Sequence, residues 1–327
     1  MLKTIKKIST LSILMMVHLA FIGQNLKEVI TILPPSTITS VNISPDNKYI
    51  VCGLKTGDIY VYNSFSGKIV YTLQRHRNEV FSISFDKNGK YFVSAGEDNT
   101  AIVWNLETGK LLKSLTEHGD AVMTAEFTPD TKYIVTGGRS QVIMVWEIIS
   151  GQSFRTLWGH KDAVNSLKIS KDGNIIVSAS SDGSLKKWDI SKQLQINSFT
   201  GHMNDITSVA ISSDEKFIVT GSRDNTIKIW DFETLSELAT MRGHDWHVLK
   251  IDISPDSKYI VSGSADKTLR IWSVESKSEV KKIESFQSSV NSVAFSKDGK
   301  YIISSDETSI VLWESGMNDA LETSGTN

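Results

Sequence analysis

The stretch running from Thr207-Ser208-Val209-Ala210-Ile211 through Phe217-Ile218-Val219-Thr220 to Thr226-Ile227-Lys228-Ile229-Trp230-Asp231 decides the fold. Its three apolar runs are separated by the turn cluster Ser212-Ser213-Asp214-Glu215-Lys216 and by the tight turn Arg223-Asp224-Asn225. A more polar run, Glu237 to Met241, then leads into Arg242-Gly243-His244. Four short β-favouring segments, punctuated by turn residues, predict an antiparallel meander and not a helix. The second and third are mostly continuous apolar runs, as expected when both faces of a sheet are covered. The fourth is the most polar and is expected at an outer edge.

The same unit recurs along the chain. Trp104, Trp146, Trp188, Trp230 and Trp272 are spaced by 42 residues, Trp313 follows after 41, and Tyr62 stands 42 before Trp104. Seven copies span nearly everything after the N-terminus, which is the mark of a repeat architecture. One meander cannot bury both of its faces alone. Seven stacked around an axis bury each face against a neighbour and leave only short outer edges. The expectation is therefore an all-β, seven-bladed β-propeller of four-stranded antiparallel blades. Because the chain ends soon after the third strand of the seventh unit (309–313), the missing strand must come from elsewhere. Residues 26–33 (LKEVITIL) can supply it and close the ring on the last blade. The domain is expected to span 24–315, with a short tail at 316–327.

The dipeptides Trp188-Asp189 and Trp230-Asp231, their variants at Trp104-Asn105, Trp146-Glu147, Trp272-Ser273 and Trp313-Glu314, and the pairs Gly159-His160, Gly201-His202 and Gly243-His244 resemble the WD-repeat β-propeller family. Lone histidines at His76 and His118 extend the match, which covers residues 26–314. Each regular repeat also carries a hydroxyl residue ten before its tryptophan and an aspartate six before it. The sets are His76, Ser94, Asp98 and Trp104; His160, Ser178, Asp182 and Trp188; His202, Thr220, Asp224 and Trp230; and His244, Ser262, Asp266 and Trp272. Ser, His and Asp together suggest hydrolase chemistry, but nothing selects one of four equivalent copies as a nucleophile. The resemblance implies instead a buried hydrogen-bond chain from aspartate to histidine to hydroxyl to indole N–H, a structural network with no catalytic residue.

Three units depart from the pattern. Ser140 replaces the aspartate in the unit of Trp146. Phe286 replaces the histidine in the unit of Trp313, whose turn is one residue short, so that Asp306 or Glu307 is left to substitute. The first unit has Pro34, Cys52, Thr56 and Tyr62 at the four positions.

A net charge of −2 gives no electrostatic footprint for nucleic acid. No phosphate loop, zinc-type cysteine spacing or calcium loop is present, so no cofactor or metal is expected. The single cysteine, Cys52, excludes an internal disulfide and reads as a buried structural thiol. Lys3, Lys6 and Lys7 precede the apolar run Ile8 to Ile22, with Gly23-Gln24 after it. This is the form of a secretory signal peptide over 1–23 and is short for a membrane span. Export to the periplasm, cell surface or medium is the expectation, without stable membrane insertion after removal of the signal. Cytoplasmic residence follows if the leader is misread.

The resemblance further implies that partners sit where the loop before each inner strand and the turn between second and third strands emerge. Alignment by the period places Phe81, Met123 and Leu249 five residues after their histidine position, Glu79, Asp205 and His247 three after it, and Lys55, Arg139 and Arg223 just before the turn aspartate. Trp246 is an additional aromatic in the loop His244-Asp245-Trp246-His247. These columns vary while the framework repeats, as expected of loops that carry specificity. Aromatic and arginine side chains are the usual interface anchors, although Phe81 and Leu249 read equally as plugs of the channel mouth. The functional expectation is a non-catalytic scaffold that binds a protein or peptide on this top face. The alternative is binding, or hydrolysis, of a small molecule or glycan at the channel mouth. The charged inner-strand residues Glu126, Lys168, Lys250 and Asp252 read as ion pairs between blades.

Overall fold

The computed structural model describes residues 26–316. Seven four-stranded antiparallel sheets make up the described residues, six of them meanders of sequential strands. In blade 5 the inner strand is Ile206–Ile211, the second Phe217–Ser222, the third Thr226–Asp231 and the outer Glu237–Arg242. Blades 1 to 4 and 6 repeat this plan. Blade 7 takes its inner three strands from Ser292–Phe295, Tyr301–Ser305 and Ile310–Glu314. Its outer strand is the N-terminal Lys27–Ile32, which pairs antiparallel with Ile310–Glu314 from Lys27 opposite Glu314 to Ile32 opposite Ile310. The strand expected within 26–33 therefore closes the ring. The expected signal segment 1–23 lies outside the described residues, as does the tail beyond Gly316.

No single core runs through the molecule. Seven apolar clusters sit between successive blades, one of them joining blade 7 to blade 1 through Ile32, Ile303, Ile310 and Leu312 against Ile38, Ile50 and Tyr62. Each sheet is thus apolar on both faces because each face meets a neighbour, which is why the second strands read as unbroken runs such as Phe217–Ser222. The outer strands are the most exposed. They are not uniformly polar, however: Ile69, Leu112, Phe154, Leu194 and Ile196 reach solvent at the rim.

Two backbone features set the loop face. The turn between second and third strands holds a residue at positive φ in the same place in six blades: Gly57, Asn99, Gln141, Gly183, Asn225 and Lys267. Glycine and asparagine occupy four of the six, as this left-handed conformation favours. In blades 1 to 6 the pairing of inner and second strands also slips by one residue near its start, as between Val122 and Thr124 and between Val248 and Lys250. Such a bulge leaves one residue out of the ladder and re-aims its side chain. The residue left out belongs to the column of Phe81, Met123 and Leu249.

Candidate partner-binding face

Beneath the loop face lie the polar networks that hold it. In blades 2, 4, 5 and 6 the histidine Nδ1 stands 2.8–2.9 Å from its aspartate. Nε2 stands 2.7–2.8 Å from the hydroxyl of Ser94, Ser178, Thr220 or Ser262. The indole N–H of Trp104, Trp188, Trp230 or Trp272 donates to that same hydroxyl at 2.8–2.9 Å. The carboxylate can only accept, so Nδ1 carries the proton, Nε2 accepts from the hydroxyl, and the hydroxyl accepts from the indole. Each aspartate also takes the backbone N–H of the residue after the histidine: Arg77, Lys161, Met203 and Asp245. One carboxylate thereby pins the loop before the inner strand to the turn between second and third strands. All four hydroxyls are fully buried and bonded on both sides, so none presents a free face to a substrate.

The electrostatics follow from this geometry. Burial alone would raise the pKa of Asp98, but hydrogen bonds from His76 and Thr100 outweigh it and hold the carboxyl at about 2. Asp182, Asp224 and Asp266 are likewise buried, and their histidine and hydroxyl donors hold them further below the usual carboxylate range. Burial lowers His160 and His244, with their aspartates opposing the shift. The glycine before the histidine has a steric reason: a Cβ on Gly201 would come within 2.7 Å of the Trp230 indole.

The irregular units are completed in other ways. In blade 3, His118 Nδ1 stands 3.1 Å from Ser140 Oγ and Nε2 2.6 Å from Thr136 Oγ1, which accepts from Trp146. With no carboxylate to offset burial, His118 is pushed down to about 4. In blade 7 Asp306, not Glu307, takes the aspartate's place, accepting from the backbone of Gln287, Thr308 and Ser309. The Phe286 ring lies 6.3 Å from Trp313 where the histidine would be. Blade 1 abandons the network: Cys52 is buried with its thiol pushed up to about 12 by burial, and Tyr62 stacks on Tyr60.

Above the networks, the ten sequence-predicted surface residues fall into two groups. Around blades 2 and 3, Arg139 pairs with Glu97 at 3.6 Å and stacks over the Phe81 ring at 5.6 Å. Glu79 is raised by burial and then by Glu97, with Lys55 and Arg139 opposing. Around blades 5 and 6, Arg223 pairs with Asp205 at 3.3 Å, and His247 Nδ1 donates to the Arg223 carbonyl at 2.7 Å. Asp205 is thus engaged by Arg223, and His247 by backbone. Phe81 lines the central channel; Met123 and Leu249 are half-buried and do not line that cavity.

Trp246 is 58% exposed. Two further side chains escaped the column comparison: Trp158, 75% exposed, two residues before His160, and Met203, 95% exposed, directly after His202. The loops before the inner strands of blades 4, 5 and 6 therefore each present one large apolar side chain. A single-column comparison misses this because the three stand at different offsets from their histidines.

Comparison with known families agrees with this architecture. The family profile described as "WD domain, G-beta repeat" matches residues 27–63, 193–231, 235–273 and 277–314. That described as "NWD2 C-terminal beta-propeller" matches residues 70–200. No curated protein sequence matches the chain closely. Propellers with such repeats are commonly protein-interaction scaffolds and are generally non-catalytic. With seven blades closed by an N-terminal strand and the repeat motifs in register, the chain belongs to the WD-repeat β-propeller family.

Proposed function

We propose that this propeller is a non-catalytic scaffold that binds a protein or peptide through the loops of blades 4 to 6. The observation that carries this reading is the exposure of Trp158, Met203 and Trp246 in the same loop of three consecutive blades. Large exposed apolar side chains rimmed by charge are what interface hot spots are made of. The Arg223–Asp205 pair supplies the charge beside Trp246. The four buried networks and the turns make the platform rigid, so little ordering cost opposes association. The Phe81–Arg139 group on blades 2 and 3 belongs to the same face and extends the contact for a larger partner.

Affinity capture from the native host with the wild-type chain, a Trp246→Ala/Arg223→Glu double variant and a Trp246→Ala/Arg139→Glu double variant tests the reading. Both variants alter solvent-exposed side chains and should leave the fold intact. Captured partners should be lost from the first and weakened in the second. Identical partners in all three would remove this face from consideration.

We further propose that the chain is exported, on the basic and apolar character of residues 1–23. N-terminal sequencing of the mature chain after fractionation should find it trimmed near Gly23. A full-length cytoplasmic protein would refute export. Among the described residues no helix is long and apolar enough to cross a membrane.

A further inference from the structure

The inner strands form a central channel that encloses a cavity of about 220 Å³. At one repeat position of the inner strands, the third residue in blades 1 to 6 and the first in blade 7, stands a hydroxyl in six blades (Ser40, Ser82, Thr124, Ser166, Ser208 and Ser292) and Lys250 in blade 6. Most of these hydroxyls tie one blade to the next. Ser208 accepts from the Ile251 amide at 3.2 Å, Ser166 from Val209 at 3.2 Å, and Ser292 from Val41 at 3.2 Å. An ammonium has no acceptor, so Lys250 cannot perform this task for the next blade. It lines the cavity instead.

The other charges in the channel are already matched. Glu126 accepts from Ser84 Oγ at 2.6 Å and from the Lys168 ammonium. Asp252 accepts from the amides of Ile253 at 2.9 Å and Phe295 at 2.8 Å. Lys250 alone has neither a hydrogen bond nor an ion pair among the described residues. The hydroxyls of Ser82 and Thr124 line the same cavity and make no hydrogen bond there. The expectation that all four inner-strand charges pair between blades therefore holds for Glu126 and Lys168 only. What the void lacks is a negative charge placed on the Lys250 ammonium.

We propose that the central channel is a binding site for a small oxyanion, a carboxylate or a phosphate, held by the Lys250 ammonium with help from free channel hydroxyls. A cation is disfavoured because the Lys168 and Lys250 ammonium groups both line the cavity and the two carboxylates already accept from donors. A cavity of about 220 Å³ suits a small ligand. Burial, and then the nearby Lys168 ammonium, push Lys250 below the usual lysine range, with Glu126 and Asp252 opposing; a bound anion would add to that opposition. The site lies in the channel and does not depend on whether the loops of blades 4 to 6 hold a protein.

Isothermal titration of the folded chain with inorganic phosphate, and separately with acetate, at neutral pH and fixed ionic strength tests the site. Two variants accompany it: Lys250→Ser, which restores the hydroxyl found in the other six blades, and Lys250→Arg, which keeps the charge. Wild type should give a saturable isotherm with at least one anion, Lys250→Ser should bind about ten-fold or more weakly, and Lys250→Arg should retain binding. Saturation by phosphate alone points to phosphate-class ligands, and by acetate alone to carboxylates. No saturable isotherm with either anion, or equal binding by Lys250→Ser, overturns the proposal.

Discussion

Restoring the missing carboxylate in blade 3 should both stabilise the ring and change how it responds to acid. His118 is buried, bonded through Nδ1 only to Ser140 Oγ at 3.1 Å, and held neutral down to about pH 4. Its ordinary value is 6.5, so between those values the unfolded chain takes up a proton that the folded one refuses. Stability contributed by neutral His118 is therefore full above about pH 6.5 and is lost as pH falls toward 4. At about 1.4 kcal/mol per unit the loss is roughly 2 kcal/mol by pH 5 and roughly 3 kcal/mol by pH 4. In Ser140→Asp the new carboxylate would face His118 Nδ1, as Asp182 faces His160 at 2.9 Å. The imidazolium is then no longer stranded, and most of the acid penalty should vanish. The neighbouring Thr100 and Ser184 hydroxyls that serve the sibling aspartates have Val142 as their counterpart in blade 3. The gain at neutral pH should consequently be modest, about 1 kcal/mol. Urea unfolding of wild type and Ser140→Asp at about pH 7.5 and about pH 5 measures both quantities. The stability difference should widen by roughly 1–2 kcal/mol on acidification. A difference that stays constant between the two pH values would refute the account of His118.

Below about pH 4 a separate loss should set in, because, against burial, the hydrogen bonds from His76 and Thr100 hold Asp98 at about 2 in the fold against its ordinary 3.8, and its siblings are held lower. Stability from these depressed carboxyls is present above 3.8 and disappears as pH falls through their folded values, so Asp98→Asn should flatten that limb of a stability–pH curve. His202→Ala should cost about 3 kcal/mol in urea unfolding, since it strands the Asp224 carboxylate and the Thr220 hydroxyl together; an unchanged midpoint would show that the network contributes nothing. Deleting residues 24–33 removes the outer strand of blade 7 and its contacts with blade 1, and should abolish a single cooperative transition. Retention of a sharp wild-type melt would contradict closure by that strand. Cys52 should resist Ellman's reagent in the folded chain and react on unfolding, because burial holds its thiol at about 12.

The sequence by itself determined the number of blades, the order of strands, the closing segment and the membership of the networks. All of these follow from a period. Residues that must meet the same neighbours in every copy recur at the same interval, so Trp188, Trp230 and Trp272 with their hydroxyl, histidine and aspartate partners identify one another. The irregular units were legible only as absences. The structure decided that Asp306 and not Glu307 replaces the missing group, because a turn one residue shorter aims Asp306 at the amides of Gln287, Thr308 and Ser309.

The candidate sites required the tertiary structure, for a reason opposite to the one that made the framework readable. Trp158, Met203 and Trp246 occupy different columns yet share one kind of loop on consecutive blades. Exposure depends on how the loop lies over the ring, which no spacing records. The slip in the inner-strand pairing, which takes Phe81, Met123 and Leu249 out of the ladder, depends on backbone hydrogen bonds that leave no residue signature. Lys250 was visible as a charge in an inner strand. That it stands unmatched became apparent only when closure of the ring set it against Glu126, Lys168 and Asp252 from other turns of the repeat and from its own strand. A periodic sequence fixes what is equivalent between blades; which odd residue is left facing open space is decided by the assembled wheel.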